Sequence, residues 1–341
     1  MEAYYYQHMS KPQQAAYHAM KSGFTALSPS FPVPKLDQPT LSDIFFKLRL
    51  DCPEIFYVTG FSYRFYPGAD HVEMVPEYLF EKSKIKEHQK ALSARVSKLV
   101  RPAQNLTPLE KERYVHDFIC QNVRYDKLKK PYSHEIIGPL GQGVGVCEGI
   151  AKSVKILCDA LNIWCTIAIS EANPEKGIKY RHMWNVVRID GKYYHLDATF
   201  DNSLGKEDII RYDYFNLSDS QIFKDHEPAI YKLPVCSDGD HTYYREKKLS
   251  WTKYEDVRKR AAQAVKKGKV LIFHWRGGYL TREVLKELFE IFREEAAKKE
   301  KHAYLSINWS QAVLQVRFDT AVPQEEITME EANEGENYEE E

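Results

Sequence analysis

HMWNVVRIDGKYYHLDATF, His182–Phe200, is the stretch that decides the fold. Its two β-rich runs, 182–189 and 192–200, flank Asp190-Gly191, a pair suited to the positive φ angles of a two-residue hairpin turn. That turn sets the register, with 189 opposite 192, 187 opposite 194 and 184 opposite 197. His182 then faces Thr199 and Asp197 faces Trp184, so His182 and Asp197 share one sheet face as diagonal neighbours. Diagonal positions lie about 7–8 Å apart, a gap that an imidazole and a carboxylate bridge by a hydrogen bond. Trp184 lies on the same face. His195 shares it too, but opposite Val186 and deeper in the sheet, where a satisfied core histidine is expected. A slip of one residue would turn one strand over and separate the pair.

Upstream, GPLGQGVGVCEGIAKSVKILCDALNI (138–163) is a glycine-rich approach to a helix. Ile150, Val154, Leu157 and Leu161 follow helical spacing. The glycines fit neither GxxxxGK[ST] nor GxGxxG, so no phosphate loop is expected. Cys147 falls at the start of this helix, where the partial positive charge of the N-terminus favours thiolate over thiol. An acid-oriented base beside such a cysteine is the general arrangement for thiol acyl transfer. Two further residues are candidates near it: Gln142 as a donor to a developing oxyanion, and Trp184 as a shield against water. Cys158, eleven residues on, lies about 16 Å along the helix and reads as core.

The six cysteines, at 52, 120, 147, 158, 165 and 236, contain no CxxC, and Cys236 with His241 is too little for a zinc site. No metal is expected, and no disulfide framework. Working outward, the N-terminal region reads as a helix to about Ser22, an irregular proline-rich stretch (28–40), a short helix over 41–50, a strand over 55–66 and a helix over 78–100. Thr107-Pro108-Leu109-Glu110 combines a capping residue, a proline at the first helical position and a capping-box glutamate, and opens a helix to about Asn122. IWCTIAIS (163–170) reads as a buried strand. Beyond residue 240 come a basic helix (253–267), a strand VLIFHW, an amphipathic helix through Val284, Leu285, Leu288 and Phe292, and strands AYLSIN and AVLQVRF. The expected domains are therefore 1–102, an accessory α+β domain; 103–238, the catalytic domain; 239–323, a small α+β domain; and 324–341, a disordered acidic tail.

At 341 residues the chain is long enough for about two domains, and 43% hydrophobic residues exclude global disorder. No run approaches the ~18 apolar residues of a membrane span. The first twenty residues lack a basic n-region and an apolar h-region, which predicts a cytoplasmic protein without membrane partners. The net charge of −1 conceals nine glutamates in 325–341, which leave the preceding residues at +8. That basic body suits acidic partners. The run RKRAAQAVKKGK (258–269) lacks interleaved aromatics, however, so a solvated helix face is expected rather than nucleic-acid binding.

GVCEGIAKSVKIL, RHMWNVVRIDGKYYHLDATFD and the upstream YVHDFICQNVRYD resemble the transglutaminase-like superfamily, over about residues 107–228. The resemblance implies a papain-like α+β core, with a cysteine-bearing helix packed on an antiparallel sheet that carries the histidine and aspartate. It assigns the nucleophile to Cys147, the base to His182 and the orienting acid to Asp197. Ile150, Ala198 and Phe200 depart from the frequent Tyr, Pro and Trp beside these positions, and none of the departures removes a reacting group. The implied activity is on amide bonds of a protein or peptide substrate through a Cys147 thioester, with hydrolysis preferred to amine transfer. Glutamine cross-linking and a catalytically silent binding scaffold are the alternatives. No cofactor is required by this chemistry, and the oligomeric state is not legible.

Overall fold

The computed structural model describes residues 3–176, 178–205 and 209–321. The acidic tail expected over 324–341 lies outside the described residues. The chain divides into two compact units between Thr242 and Tyr243. Among the described residues, no helix is long and apolar enough to cross a membrane.

The first unit opens with α1 (Tyr4–Gln7), α2 (Lys11–Thr25), β1 (Phe31–Pro34), α3 (Gln38–Asp51), β2 (Val58–Phe65), β3 (His71–Tyr78) and α4 (Lys82–Val100). The single helix expected to Ser22 is interrupted before Lys11, where Ser10 and Gln13 close a capping box. The strands form an antiparallel sheet of order β1-β3-β2. The proline-rich stretch, expected to be irregular, supplies β1. It is an edge strand, where Pro32 and Pro34 cost no central ladder bonds. β3 was not expected; it shares only Tyr78 with the span read as helix, and α4 begins at Lys82. This region and the segment after it belong to one unit. Tyr5 Oη donates to Ile167 O at 2.5 Å, and Tyr4, Tyr5 and Leu50 pack with Trp164, Ile167 and Ile169.

Next come α5 (Pro108–Asn122), β4 (Arg124–Tyr125), β5 (Val144–Gly145), α6 (Cys147–Ala160), β6 (Trp164–Ser170), β7 (His182–Ile189), β8 (Lys192–Leu196), α7 (Ala198–Leu204), β9 (Phe215–Leu217) and α8 (Asp219–Ile222). The expected capping box opens α5, with Thr107 accepting from Glu110 N. β6 to β9 form an antiparallel sheet in chain order, and α6 packs across β6 and β7. The helix lies close to the chain before it. A Cβ at Gly149 would collide with Ser133 O, so only glycine fits that turn. β6 is buried throughout, as its sequence implies, with α6 and the N-terminal tyrosines both packed on it.

The second unit contains α9 (Tyr243–Glu246), β10 (Ser250–Trp251), α10 (Tyr254–Lys267), β11 (Leu271–Trp275), α11 (Arg282–Ala297), β12 (His302–Asn308) and β13 (Val313–Asp319). Its sheet runs β10-β11-β13-β12, with β10 parallel to β11. Phe273, Leu288, Phe292, Leu314 and Val316 are fully buried in its core.

Candidate active site

β7 and β8 pair in the register set by the Asp190-Gly191 turn: 189 opposite 192, 187 opposite 194, 185 opposite 196. Both turn residues have positive φ, 49° and 82°. The ladder stops at Leu196, four residues short of the expected strand end. Asp197 leaves it to cap α7, its Oδ1 accepting from Thr199 N at 2.9 Å and Phe200 N at 3.0 Å. Thr199 therefore does not face His182, which instead lies opposite Ser170 on β6. Capping turns the other carboxylate oxygen toward the sheet, where His182 Nε2 donates to Asp197 Oδ2 at 2.5 Å. The acid and base thus meet through a helix cap rather than as paired strand residues.

Cys147 is the first residue of α6, behind an extended Val146. Its thiol lies near enough to His182 to favour the charged imidazole. With Nε2 turned to Asp197, Nδ1 is the ring nitrogen left for the thiol. Burial works against the charged ring, but Asp197 and then Cys147 outweigh it, and the His182 pKa is pushed up to about 10. Asp197 is wholly buried, which opposes its charge; His182 and a second histidine, His226, reverse that and hold it below the usual carboxylate range. The His182 side chain keeps 16% of its surface exposed, so the imidazole remains reachable from outside.

Trp184 is buried and lies nearly parallel to the His182 ring, with centroids 5.8 Å apart at 14°. Its Nε1–H donates to His195 Nδ1 at 3.0 Å, so the indole offers a wall to the site and no free donor. That bond fixes the His195 tautomer: Nδ1 accepts, so Nε2 carries the proton and donates to Asp219 Oδ1 at 2.8 Å. His195 is the satisfied core histidine the register implies, and burial depresses its pKa. Gln142 lies at the exposed end of the helical turn Ile137–Gln142, five residues before Cys147. Cys158 is buried.

Sequence reading missed His226. Its Nε2 donates to the same Asp197 Oδ2 at 2.9 Å, and its Nδ1 lies 2.8 Å from Asp225 Oδ1. The only signal was the His in KDHEP, which carries no periodicity. His182, Asp197 and His226 bring three metal-capable atoms within 4.8 Å of one another, as do His195, Asp219 and Cys236. In the first group both imidazoles direct N–H at an acceptor-only carboxylate; in the second, Trp184 forces the proton onto His195 Nε2. Internal hydrogen bonds account for both groups without a cation.

The first turn of α6 is also held electrostatically. Lys152, wholly buried, donates to Glu135 at 2.8 Å and to Glu148 at 2.7 Å. Arg49 pairs with the same two carboxylates. Burial opposes the Glu148 charge, but Lys152, His134 and Arg49 hold its pKa well below the ordinary value. At the other end of the site, His116 Nε2 meets Asp201 Oδ2 at 3.0 Å, tying α5 to α7. Asp201 Oδ1 accepts from Asp213 N and Tyr214 N just before β9.

Among solved structures, a TGase aligns with 9% identity over 44% of this chain and 46% of its own, at a TM-score of 0.30. A candidate cysteine protease from Cytophaga hutchinsonii aligns with 15% identity over 41% of this chain and 61% of its own, at a TM-score of 0.26. The aligned parts thus span about half of the one and under two thirds of the other. No curated protein matches the chain by sequence. Residues 94–198 match the core model of the Transglutaminase-like superfamily. The matched segment runs from α4 through the cysteine helix and the hairpin to the cap of α7. That segment, which holds Cys147, His182 and Asp197, is what this chain shares with the transglutaminase-like superfamily.

Proposed function

We propose that the protein is a thiol-dependent enzyme that hydrolyses an amide bond of a protein or peptide through an acyl-enzyme on Cys147. The observation that carries this reading is a single imidazole, His182, held by a buried carboxylate and interacting with a thiol at a helix N-terminus. In the forward step the Cys147 sulfur attacks the carbonyl carbon and the C–S bond forms. The carbonyl oxygen takes up the electron pair beside the first turn of α6, whose N–H groups favour negative charge. Gln142 is the proposed side-chain donor to that oxygen. The tetrahedral adduct collapses, the C–N bond breaks and His182 gives its proton to the leaving amine. Water then attacks the thioester, His182 takes a proton from it, and the thiolate departs. Hydrolysis is preferred to amine transfer because water needs no acceptor site.

The test is mass spectrometry of peptide libraries incubated with the full chain, with and without an added primary amine. Cleavage or deamidation that is independent of the amine and lost in Cys147→Ala is the expected result. Products that appear only as amine adducts would make the protein a transferase. An unchanged library would remove the enzymatic reading.

A further inference from the structure

Asp197 carries one hydrogen bond more than orientation of His182 requires. Its Oδ1 is fixed by two backbone N–H groups, and His182 alone on Oδ2 would set the imidazole. His226 nevertheless donates to that same Oδ2, with its side chain 1% exposed. Its other nitrogen lies against Asp225 Oδ1, and Asp225 Oδ2 in turn accepts from Tyr214 Oη at 2.6 Å. Both nitrogens of His226 thus sit on carboxylates, an arrangement satisfied in full by the doubly protonated ring.

We propose that His226 is a positioning residue that acts through Asp197, and that by sharing this carboxylate it sets the pH at which His182 releases its proton. The inference rests on the cysteine-enzyme reading above. The groups facing His226 are Asp197 at the cap of α7, Asp225 on its own segment, His182 from β7, Tyr214 before β9, and His195 on β8 beyond Trp184. Trp184 and Phe200 close the remaining sides. Two effects of His226 have the same sign. Its N–H draws on the carboxylate charge that would otherwise serve His182 alone, and any positive charge on its ring, 5.3 Å from that of His182, opposes a second one there. Both loosen the His182 proton and make it a better acid toward a leaving amine. The bland alternative is a core histidine that only fills space and satisfies Asp197; its loss would lower stability and leave the His182 titration where it is.

The experiment is the rate of Cys147 alkylation by iodoacetamide as a function of pH, in the full chain and in His226→Gln, His226→Ala and Asp225→Asn, with melting temperature measured alongside. Gln keeps an N–H for Asp197 but cannot carry a charge. The wild-type profile is expected to show an upper inflection where His182 deprotonates. In His226→Gln that inflection should move up by about one pH unit. Asp225→Asn should move it the same way by less, and these two variants decide the matter if His226→Ala fails to fold. An inflection unmoved in His226→Gln, or moved down, would overturn the inference while leaving selective wild-type labelling, and hence the enzyme reading, intact. Absence of selective Cys147 labelling in the wild type would overturn both.

Discussion

At Asp197 one oxygen serves the backbone and the other the base, so changes at the three proposed catalytic positions should differ in severity. Cys147→Ala removes the only proposed nucleophile and should abolish turnover; Cys147→Ser should be nearly as damaging, because a hydroxyl ionises far less readily. His182→Ala should rank next. Asp197→Asn keeps a good helix cap and the imidazole, and should lower kcat by about 10²- to 10³-fold, less than the matching change in a serine triad. Steady-state kinetics on any peptide the enzyme turns over would check the order. The pair also links stability to pH. His182 is raised from 6.5 to about 10, so its contribution is complete below about 6.5 and is lost as pH rises through the folded value. Asp197 is shifted down from 3.8, so its contribution is complete above that value and is lost as pH falls. The stability gap between wild type and His182→Ala, followed by urea unfolding, should therefore shrink from pH 6 to pH 10; a gap independent of pH would contradict the coupling. At this scale the sequence brings out Cys147, His182 and Asp197, the proposed nucleophile, base and acid, because residue type and spacing both point to them. His226 stays hidden because only the fold returns the segment after α8 to Asp197.

Among the elements, the hairpin was legible in full register because Asp190-Gly191 permits one tight turn and the flanking runs have strand composition. Its length was not. Ala-Thr-Phe after Asp197 looks like strand, yet Asp197 is a helix cap, and Asp201 in the first turn of α7 is held by His116. β1 and β3 escaped notice because prolines at 32, 34 and 76 argue against strand; β1 is a sheet edge, and on the central β3 Pro76 lies beyond Met74, where pairing with β1 ends. Lys152 falls outside the Ile150, Val154 and Leu157 spacing of α6, and folding places it between Glu135 and Glu148 with no exposed side-chain surface. Lys152→Ala leaves those carboxylates buried with Arg49 and the His134 imidazole as their remaining partners. It should cost about 3–5 kcal/mol in urea unfolding. A loss below about 1 kcal/mol would show that the cluster is solvated and does not anchor the first turn that presents Cys147.

For the whole molecule, the boundary between Thr242 and Tyr243 leaves all the proposed catalytic residues in the first unit. A chain ending at Thr242 should retain selective labelling of Cys147, measured by peptide mapping; loss of labelling in a folded truncation would give the second unit a part in the site. The change of pattern after residue 240 was legible because a new set of helix and strand periods begins there. The union of the first hundred residues with the segment that carries Cys147, His182 and Asp197 was not, since it depends on Tyr4 and Tyr5 packing on β6, a long-range contact that local patterning does not encode. The central claim is that Cys147 is an activated nucleophile paired with His182. Its most direct test is a brief exposure of the folded chain to limiting iodoacetamide near neutral pH, with peptide mapping of all six cysteines in wild type and His182→Ala. The account predicts that Cys147 is labelled well ahead of the other five in the wild type, and that His182→Ala removes most of this lead. Labelling of Cys147 no faster than in the denatured chain, or a lead untouched by His182→Ala, would contradict it.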